Sequence, residues 1–260
     1  MQSFASLCKP LSPAFLHPNN MPVRIGLVVL ATDMVVEVEW REIFAGLPIE
    51  ILVARIACAA EVTPKALLTM AHEIGHCASL ILPDVELDAI AYGCTSGSLV
   101  IGEEKVQQLL QQGNSEQITS NPFSAIKAAL AFIKAKNIVV LSPYLASVNE
   151  PFYNALDSVG YNIMAWGSLD LTLDKDIGSM NPEHLPKLIE ELLAGVDAVP
   201  DAVFISCTNF KAVAKLAELE QRYGCYFISS NQVMAWHLLH QLNISLPNMK
   251  AGRLFETPSI

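Results

Sequence analysis

Two cysteines occupy matched settings in this chain. Cys94 stands in Tyr92-Gly93-Cys94-Thr95-Ser96-Gly97-Ser98, after the apolar run Leu87 to Ala91 and before a helical pattern over Glu103 to Gln112. Cys207 stands in Val203-Phe204-Ile205-Ser206-Cys207-Thr208-Asn209, again after an apolar run and before a helical pattern, Lys211 to Arg222. The pattern predicts that each thiol lies where a buried strand gives way to a helix. Gly93 and Gly97 let the backbone turn tightly, and N–H groups at a helix start favour anions. That setting lowers a thiol's pKa, and the thiolate is the reactive form. Most free cysteines are small core fillers, and Cys8, Cys58, Cys77 and Cys225 are read that way. Cys94 and Cys207 depart from that default because each sits among residues suited to an anion.

Two thiols on opposite walls of a cleft can do proton work on a carbon between them. One removes a proton as thiolate and the other donates from the opposite face. Alternatively, one thiolate adds to an activated carbon and forms a covalent intermediate. In either case open N–H groups after each cysteine would hold a carboxylate, with Thr95, Ser96, Thr208 and Asn209 beside them. No cofactor is needed, and the phosphate-binding patterns GxGxxG and GxxxxGKS/T are absent.

The surrounding elements must place these residues. Strands are expected over Arg24 to Leu30, Glu50 to Ile56, Leu87 to Ala91, Asn137 to Leu141, Tyr161 to Trp166 and Ala202 to Ser206. Helices are expected over Val35 to Ala45, from Pro64 with Thr63 as N-cap, over Pro122 to Ala135, from Pro182, and from Ser229 onward. Leu67, Ala71, Ile74, Ala78 and Ile81 mark one helical face. Val28 and Val139, Pro64 and Pro182, Cys94 and Cys207, and Asn121 and Asn231 lie 110–118 residues apart. Any βα protein repeats strand and helix, but that alone does not produce matching Cys-Thr sites or matching caps. The expected fold is therefore α/β, with two similar lobes of parallel sheet related by a pseudo-twofold axis and the site in the cleft between them. The expected divisions are an N-terminal extension at 1–23, lobes at 24–136 and 137–250, and a C-terminal tail at 251–260. Ligands of such sheets bind beyond the carboxyl ends of the strands, where both cysteines fall.

Composition narrows the partners. The chain has 260 residues, 52% hydrophobic and 16% charged, with a formal net charge of −10. The absence of a basic cluster argues against nucleic acid. No apolar run reaches the ~18 residues of a membrane span. The segment up to Pro22 carries Pro10, Pro13, Pro18 and Pro22 and lacks the charged start and apolar middle of a signal peptide. It is expected to lie outside the fold, on a partner subunit of a homodimer or homotetramer. Six irregularly spaced cysteines suit a reducing, cytoplasmic compartment.

The paired Cys-Thr halves resemble the aspartate/glutamate racemase superfamily. Within it, Gly93-Cys94-Thr95-Ser96-Gly97-Ser98, Ser142-Pro143-Tyr144, Ser206-Cys207-Thr208-Asn209 and Ser230-Asn231-Gln232 with Trp236 resemble the maleate cis–trans isomerase group. The resemblance runs from Arg24 to the last helix. It implies a cofactor-independent enzyme on small carboxylic acids, with Cys94 attacking the double bond, Cys207 assisting and Tyr144 binding substrate. Arylmalonate decarboxylases share the fold but keep only the second cysteine, so Cys94 counts against decarboxylation. The isomerases carry an asparagine after the first strand, where Leu30-Ala31-Thr32-Asp33 here supplies Asp33, and a second binding asparagine corresponds loosely to Asp174. A carboxylate at Asp33 would repel a bound carboxylate or pair with a substrate ammonium. The Ala-Thr-Asp form is similar to the branch associated with ectoine utilisation, which implies an amino-acid derivative as the alternative substrate, with racemisation or decarboxylation as alternative reactions. Asp33 can equally be a helix cap.

Two rival readings belong to other classes. His72-Glu73-Ile74-Gly75-His76 is a literal HExxH, the pattern of a zinc protease. No further His follows at metzincin spacing, and the matching helix of the second half has no such pair. No metal is therefore expected. A two-lobed, non-catalytic sensor of small molecules is the other rival, and the two reactive-looking thiols weigh against it.

Overall fold

The computed structural model describes residues 8–9, 11–17, 20–112, 114–245 and 251–256. The rest of the expected N-terminal extension and C-terminal tail lies outside them.

The first half runs β1 (Val23–Leu30), α1 (Val36–Ile43), β2 (Ile49–Ile56), α2 (Pro64–Thr69), α3 (Ala71–Ser79), β3 (Ala89–Gly93), α4 (Thr95–Ile101), α5 (Glu103–Leu110), β4 (Ile118–Ser120) and α6 (Pro122–Phe132). The second runs β5 (Asn137–Ser142), α7 (Ala146–Ser158), β6 (Asn162–Ser168), α8 (Asp174–Gly178), a 3-10 turn (Pro182–His184), α9 (Leu185–Leu193), β7 (Ala202–Ile205), α10 (Val213–Tyr223), β8 (Tyr226–Ser229) and α11 (Ser230–Gln241). Each half forms one four-stranded parallel sheet, ordered β2-β1-β3-β4 and β6-β5-β7-β8. The identical strand order bears out the expected repeat. Register refines it: Val28 pairs with Tyr92, two residues before Cys94, and Leu141 pairs with Ile205, two before Cys207. The true counterpart of Val28 is thus Leu141, not Val139. Likewise Asn121 caps α6, whereas Ser229 caps α11, two residues before Asn231.

Successive strand residues face opposite sides of a sheet. Leu27 and Val29 of β1 join Val140 of β5 and Phe204 of β7 in one core shared by both lobes. Val28 points instead into an outer core with Ile74 and Tyr92, and Val139 into a second with Leu216 and Leu219. Both sheet faces are covered, which is why the central strands read as unbroken apolar runs. The shared core is closed by α6 and α11, which pack on each other, and α11 also packs on α1. The described part of the tail is docked rather than loose, with Leu254 fully buried in the shared core. By contrast Leu11, Phe15 and Leu16 of the N-terminal extension are exposed. No helix among the described residues is long and apolar enough to cross a membrane.

Local chemistry explains several boundaries. Thr63 caps α2 by accepting from Ala66 N at 3.3 Å, with Pro64 at the first position. The expected continuous face from Leu67 to Ile81 divides into α2 and α3 around Met70. Gly102, at φ 93°, ends α4 and begins α5 in a conformation that favours glycine.

One buried carboxylate ties the lobes together. Glu39 of α1 accepts from Ala212 N (2.8 Å) and Val213 N (2.9 Å) at the start of α10, and from Asn231 Nδ2 (2.7 Å) of α11. Because α10 has no side-chain cap of its own, Glu39 supplies its N-terminal acceptor from the other lobe. Burial pushes the Glu39 carboxyl up to about 7 from 4.5, its three N–H bonds pulling the other way. A raised folded pKa contributes stability that is present below the unfolded pKa and is lost as pH climbs through the folded one. Relative to Glu39→Gln, wild type should therefore lose on the order of 3 kcal/mol of unfolding free energy between pH 4.5 and 7. Denaturant melts of the two proteins across that range test it, and a pH-independent difference would refute the assignment.

Candidate active site

Cys94 follows β3 and is the N-cap of α4, its own backbone extended at φ −154°. Its Sγ accepts from Gly97 N at 3.3 Å, and the Ser96 hydroxyl stands 3.8 Å away. Gly97 has to be glycine here, since a Cβ would meet Tyr92 Oη at 2.6 Å and Cys94 Sγ at 2.9 Å. Ser98 Oγ donates to Cys94 O at 2.6 Å and fastens the first turn of α4.

Cys207 follows β7 at φ 99°, a region that residues with a Cβ rarely occupy. Such a backbone costs on the order of 1–3 kcal/mol and persists only where neighbours hold it. The holding bonds are visible. Cys207 N donates to Ser230 Oγ at 3.0 Å, and Asn209 N donates to Cys207 Sγ at 3.4 Å. Thr95 Oγ1 donates to the same Ser230 Oγ at 2.8 Å, and Thr208 Oγ1 to Gly93 O at 3.3 Å. The two Cys-Thr turns are therefore bonded to each other through Ser230, a site residue that its place in a helix-start pattern did not single out.

Tyr144 is buried, and its hydroxyl is close enough to Cys207, Cys94 and Ser96 for each to act on it. Burial raises its pKa well above the usual value, so the phenol keeps its proton as a donor toward Cys207. Its backbone is anchored by Asn149, whose Nδ2 donates to Tyr144 O at 2.6 Å, and by Ser142 Oγ, which accepts from Tyr144 N at 3.2 Å.

The acidic wall comes from both lobes. Asp33 Oδ1 accepts from Val35 N and Val36 N, each at 2.9 Å, so the helix-start role holds for that oxygen. Asp174, at the start of α8, accepts from Thr32 Oγ1. Asn209 joins them, taking Met34 N at 2.8 Å on Oδ1 and giving Nδ2 to Asp174 O at 2.9 Å. The side chains of Thr95, Asn209, Thr208 and Asp174 are thus engaged in lobe-to-lobe bonds, and Thr208 and Asp174 gather with Ser96, Tyr144 and Asp33 around the two thiols.

The expectation of depressed thiol pKa values is overturned. Burial pushes Cys94 up to about 12 and Cys207 well above the ordinary thiol. The Gly97 N–H at the start of α4 pulls down, as the sequence suggested, and the Asn209 N–H does so too, although α10 begins only at Val213 and Cys207 is at no helix start; Asp174 pushes both thiols further up. Among the groups acting most strongly on either sulfur there is no cation to offset desolvation. Both buried thiols are therefore held in the neutral form.

His72, Glu73 and His76 lie exposed on α3, on the outer side of the first sheet. Among the described residues no group of three His, Cys, Asp or Glu side chains is placed to hold a metal ion.

The geometry can be set beside known proteins. The maleate isomerase of Nocardia farcinica is 24% identical over 247 residues, which is 91% of this chain and 96% of that one. A cysteine-to-serine mutant of the Nocardia farcinica maleate cis-trans isomerase, with a covalently bound succinylcysteine intermediate, superposes with a TM-score of 0.81 at 23% identity, covering 91% of this chain and 99% of that one. A cysteine-to-alanine variant of the maleate isomerase Iso from Pseudomonas putida S16, with maleate, gives 0.80 at 17% identity over 90% and 97%. These likenesses show a common fold. Residues 25–255, nearly all of the two lobes, match the arylmalonate decarboxylase family, and the chain belongs to that family.

Proposed function

We propose that this chain is a cofactor-independent isomerase that interconverts the cis and trans forms of a small unsaturated dicarboxylate of the maleate type. The observation that carries the reading is the pair of buried thiols, Cys94 and Cys207, held in one bonded cluster with the Tyr144 hydroxyl close to both. The relatives named as maleate isomerases, one with a succinylcysteine intermediate, support it. The working unit is the pair of lobes 24–136 and 137–250. A cytoplasmic homodimer or homotetramer is part of the same reading. Six free cysteines suit a reducing compartment, and the exposed Leu11 and Phe15 of the extension suit a partner subunit.

In this mechanism the reacting form is the one in which Cys94, neutral at rest, has given its proton to solvent, and its Sγ bonds to one alkene carbon. The π pair moves to the other carbon and takes the proton of Cys207 S–H, leaving a succinyl thioether on Cys94 and a thiolate on Cys207. The former double bond is now single and rotates. Cys207 takes the proton back, the C–S bond breaks, its electron pair returns to sulfur, and the trans acid leaves. Tyr144 donates toward Cys207 when that sulfur is negative, and N–H groups of Thr95, Ser96 and Thr208 hold the carboxylates.

A second reading, turnover of an amine-bearing amino-acid derivative by racemisation or decarboxylation, draws on Asp33 and Asp174, two buried carboxyls that suit an ammonium. Turnover of maleate, measured beside aspartate and diaminobutyrate derivatives, decides between them. On the isomerase reading maleate is converted to fumarate. Cys207→Ser should slow this by about 10²–10⁴-fold while a Cys94 adduct of one substrate mass accumulates. Cys94→Ser should form no adduct, since no base stands ready to activate a serine hydroxyl. An adduct on Cys207 alone would reverse the assigned roles.

Reactivity of the free enzyme should follow burial. Iodoacetamide is expected to label exposed Cys8 before Cys94 at pH 7, and the rate at Cys94 should climb with pH past the ordinary thiol value of ~8.5. Fast labelling of Cys94 at pH 7, ahead of Cys8, would contradict a neutral buried thiol.

A further inference from the structure

A dicarboxylate site walled by two carboxyls raises a charge problem that the position of Asp33 resolves. Asp33 is 3% exposed, and its two oxygens are treated differently. Oδ1 takes both N–H groups at the start of α1, Val35 N and Val36 N. Oδ2 is enclosed and receives no hydrogen bond. Thr208 stands beside it, but the single Thr208 hydroxyl hydrogen is directed to Gly93 O at 3.3 Å. A charged oxygen left bare and buried carries its full desolvation cost. A protonated Oδ2 leaves no bare charge and offers a hydrogen, with the Thr208 oxygen as its near acceptor until a substrate carboxylate takes that place.

The groups facing Asp33 from the packed elements do not supply a compensating positive charge. Asp174 of α8 adds negative potential. From the β7–α10 turn come Thr208 and Cys207, whose thiolate Asp33 also disfavours. From β2, the Arg55 guanidinium donates to backbone oxygens, Asp33 O at 2.9 Å and Leu30 O at 3.1 Å, and pairs with Glu37. It approaches the Asp33 backbone rather than Oδ2. Burial dominates and raises the Asp33 carboxyl above its ordinary range, against the two N–H bonds on Oδ1.

We propose that Asp33 binds substrate as a neutral carboxylic acid, with Oδ1 pinned by the α1 N–H groups and the hydrogen on Oδ2 donated to a substrate carboxylate oxygen. The inference rests on the dicarboxylate reading above. It makes substrate binding proton-linked. An acidic residue serves here as a hydrogen-bond donor, so a dianion can enter a wall of two aspartates. The same proton removes a negative charge from beside Cys207, which eases thiolate formation in the cysteine pair. Once Asp33 ionises, Oδ2 turns from donor to repelling charge and the substrate is refused.

The experiment measures maleate binding by calorimetry to the full chain carrying Cys94→Ala and Cys207→Ala, with and without Asp33→Asn, from pH 5 to 9. Removing the thiols leaves Asp33 to titrate without them, and the ratio of the two Kd values cancels maleate's own ionisation. Asparagine keeps an acceptor for Val35 N and Val36 N and a donor at the other position, so α1 stays capped. The ratio of the Asp33 protein's Kd to that of the Asp33→Asn variant should rise up to tenfold per pH unit above the Asp33 pKa. The Asp33 protein should also take up as much as one more proton per maleate bound, read from two buffers of different ionisation enthalpy. A ratio that is flat with pH and equal proton uptake, in a protein whose wild type still isomerises maleate, would overturn the inference and leave the isomerase reading standing. Absence of maleate turnover in wild type together with no maleate binding at any pH would overturn both.

Discussion

Removal of two thiols and two carboxyls from water is the constraint on which this site depends. Each thiol has an N–H donor, Cys94 from Gly97 and Cys207 from Asn209. In an open site such bonds would favour thiolates. Here desolvation outweighs them, because the energy of leaving water acts on the whole charge while one N–H bond compensates only part of it. What the site gains is strength at the moment charge appears. In a dry cleft each donor aimed at a developing anion acts through a low effective dielectric. The Tyr144 phenol, kept protonated by the same burial, is one such donor.

The dryness is a property of the fold rather than of the site residues alone. The core of each sheet's inner face is continuous with that of the other, and α6 and α11 lie across both. Bonds that cross the boundary reinforce it: Trp40 Nε1 to Asn231 O at 3.0 Å, Glu39 to the start of α10, and Ser230 to both cysteine turns. Separating the lobes would therefore expose apolar surface and strand several buried polar groups at once. The polar groups holding the lobes together are the same ones that set the backbone at Cys207, so closure and site geometry are one arrangement.

Much of this was legible in the sequence where a local rule has a local consequence. Thr63-Pro64 and Asn121-Pro122 begin helices because an N-cap acceptor and a fixed proline φ act within a few residues. The repeat was legible because the strand-end cysteines recur at one interval. Elements that depend on distant contacts were not read. Strand β4 is three residues long, too short for a pattern, and the end of β8 at Ser229 reads as the start of the last helix. Helix α7 carries Pro151 in its interior, which reads as a breaker although packing holds the helix. Helix α4 is built from Thr-Ser-Gly-Ser, poor helix formers fixed by the Cys94 cap and Ser98. The thiol ionisation is not legible for the same reason: the helix start at Cys94 is written locally, but depth of burial is written across both lobes.

The repeat also shows where the halves had to differ. Two thiols that interact strongly titrate as a pair, and equal surroundings would give neither a fixed role. The backbone breaks that equality. Cys94 is extended and caps a helix, with Gly97 N and the Ser96 hydroxyl as partners. Cys207, in the same Cys-Thr dipeptide, sits at φ 99° with Tyr144 and Asn209 N as partners. The strain at Cys207 is maintained by Ser230, which belongs to the helix following β8, while α4 follows Cys94 directly. An ordinary backbone with an adaptable helix cap suits a sulfur that must form and break a bond to carbon and shift as it does so. A backbone fixed by neighbours, with a phenol held beside its sulfur, suits one that only passes a proton along a set line. On the proposed reading, two copies of one supersecondary unit would supply a nucleophile and an acid from the same residue type, through backbone conformation rather than through a change of side chain.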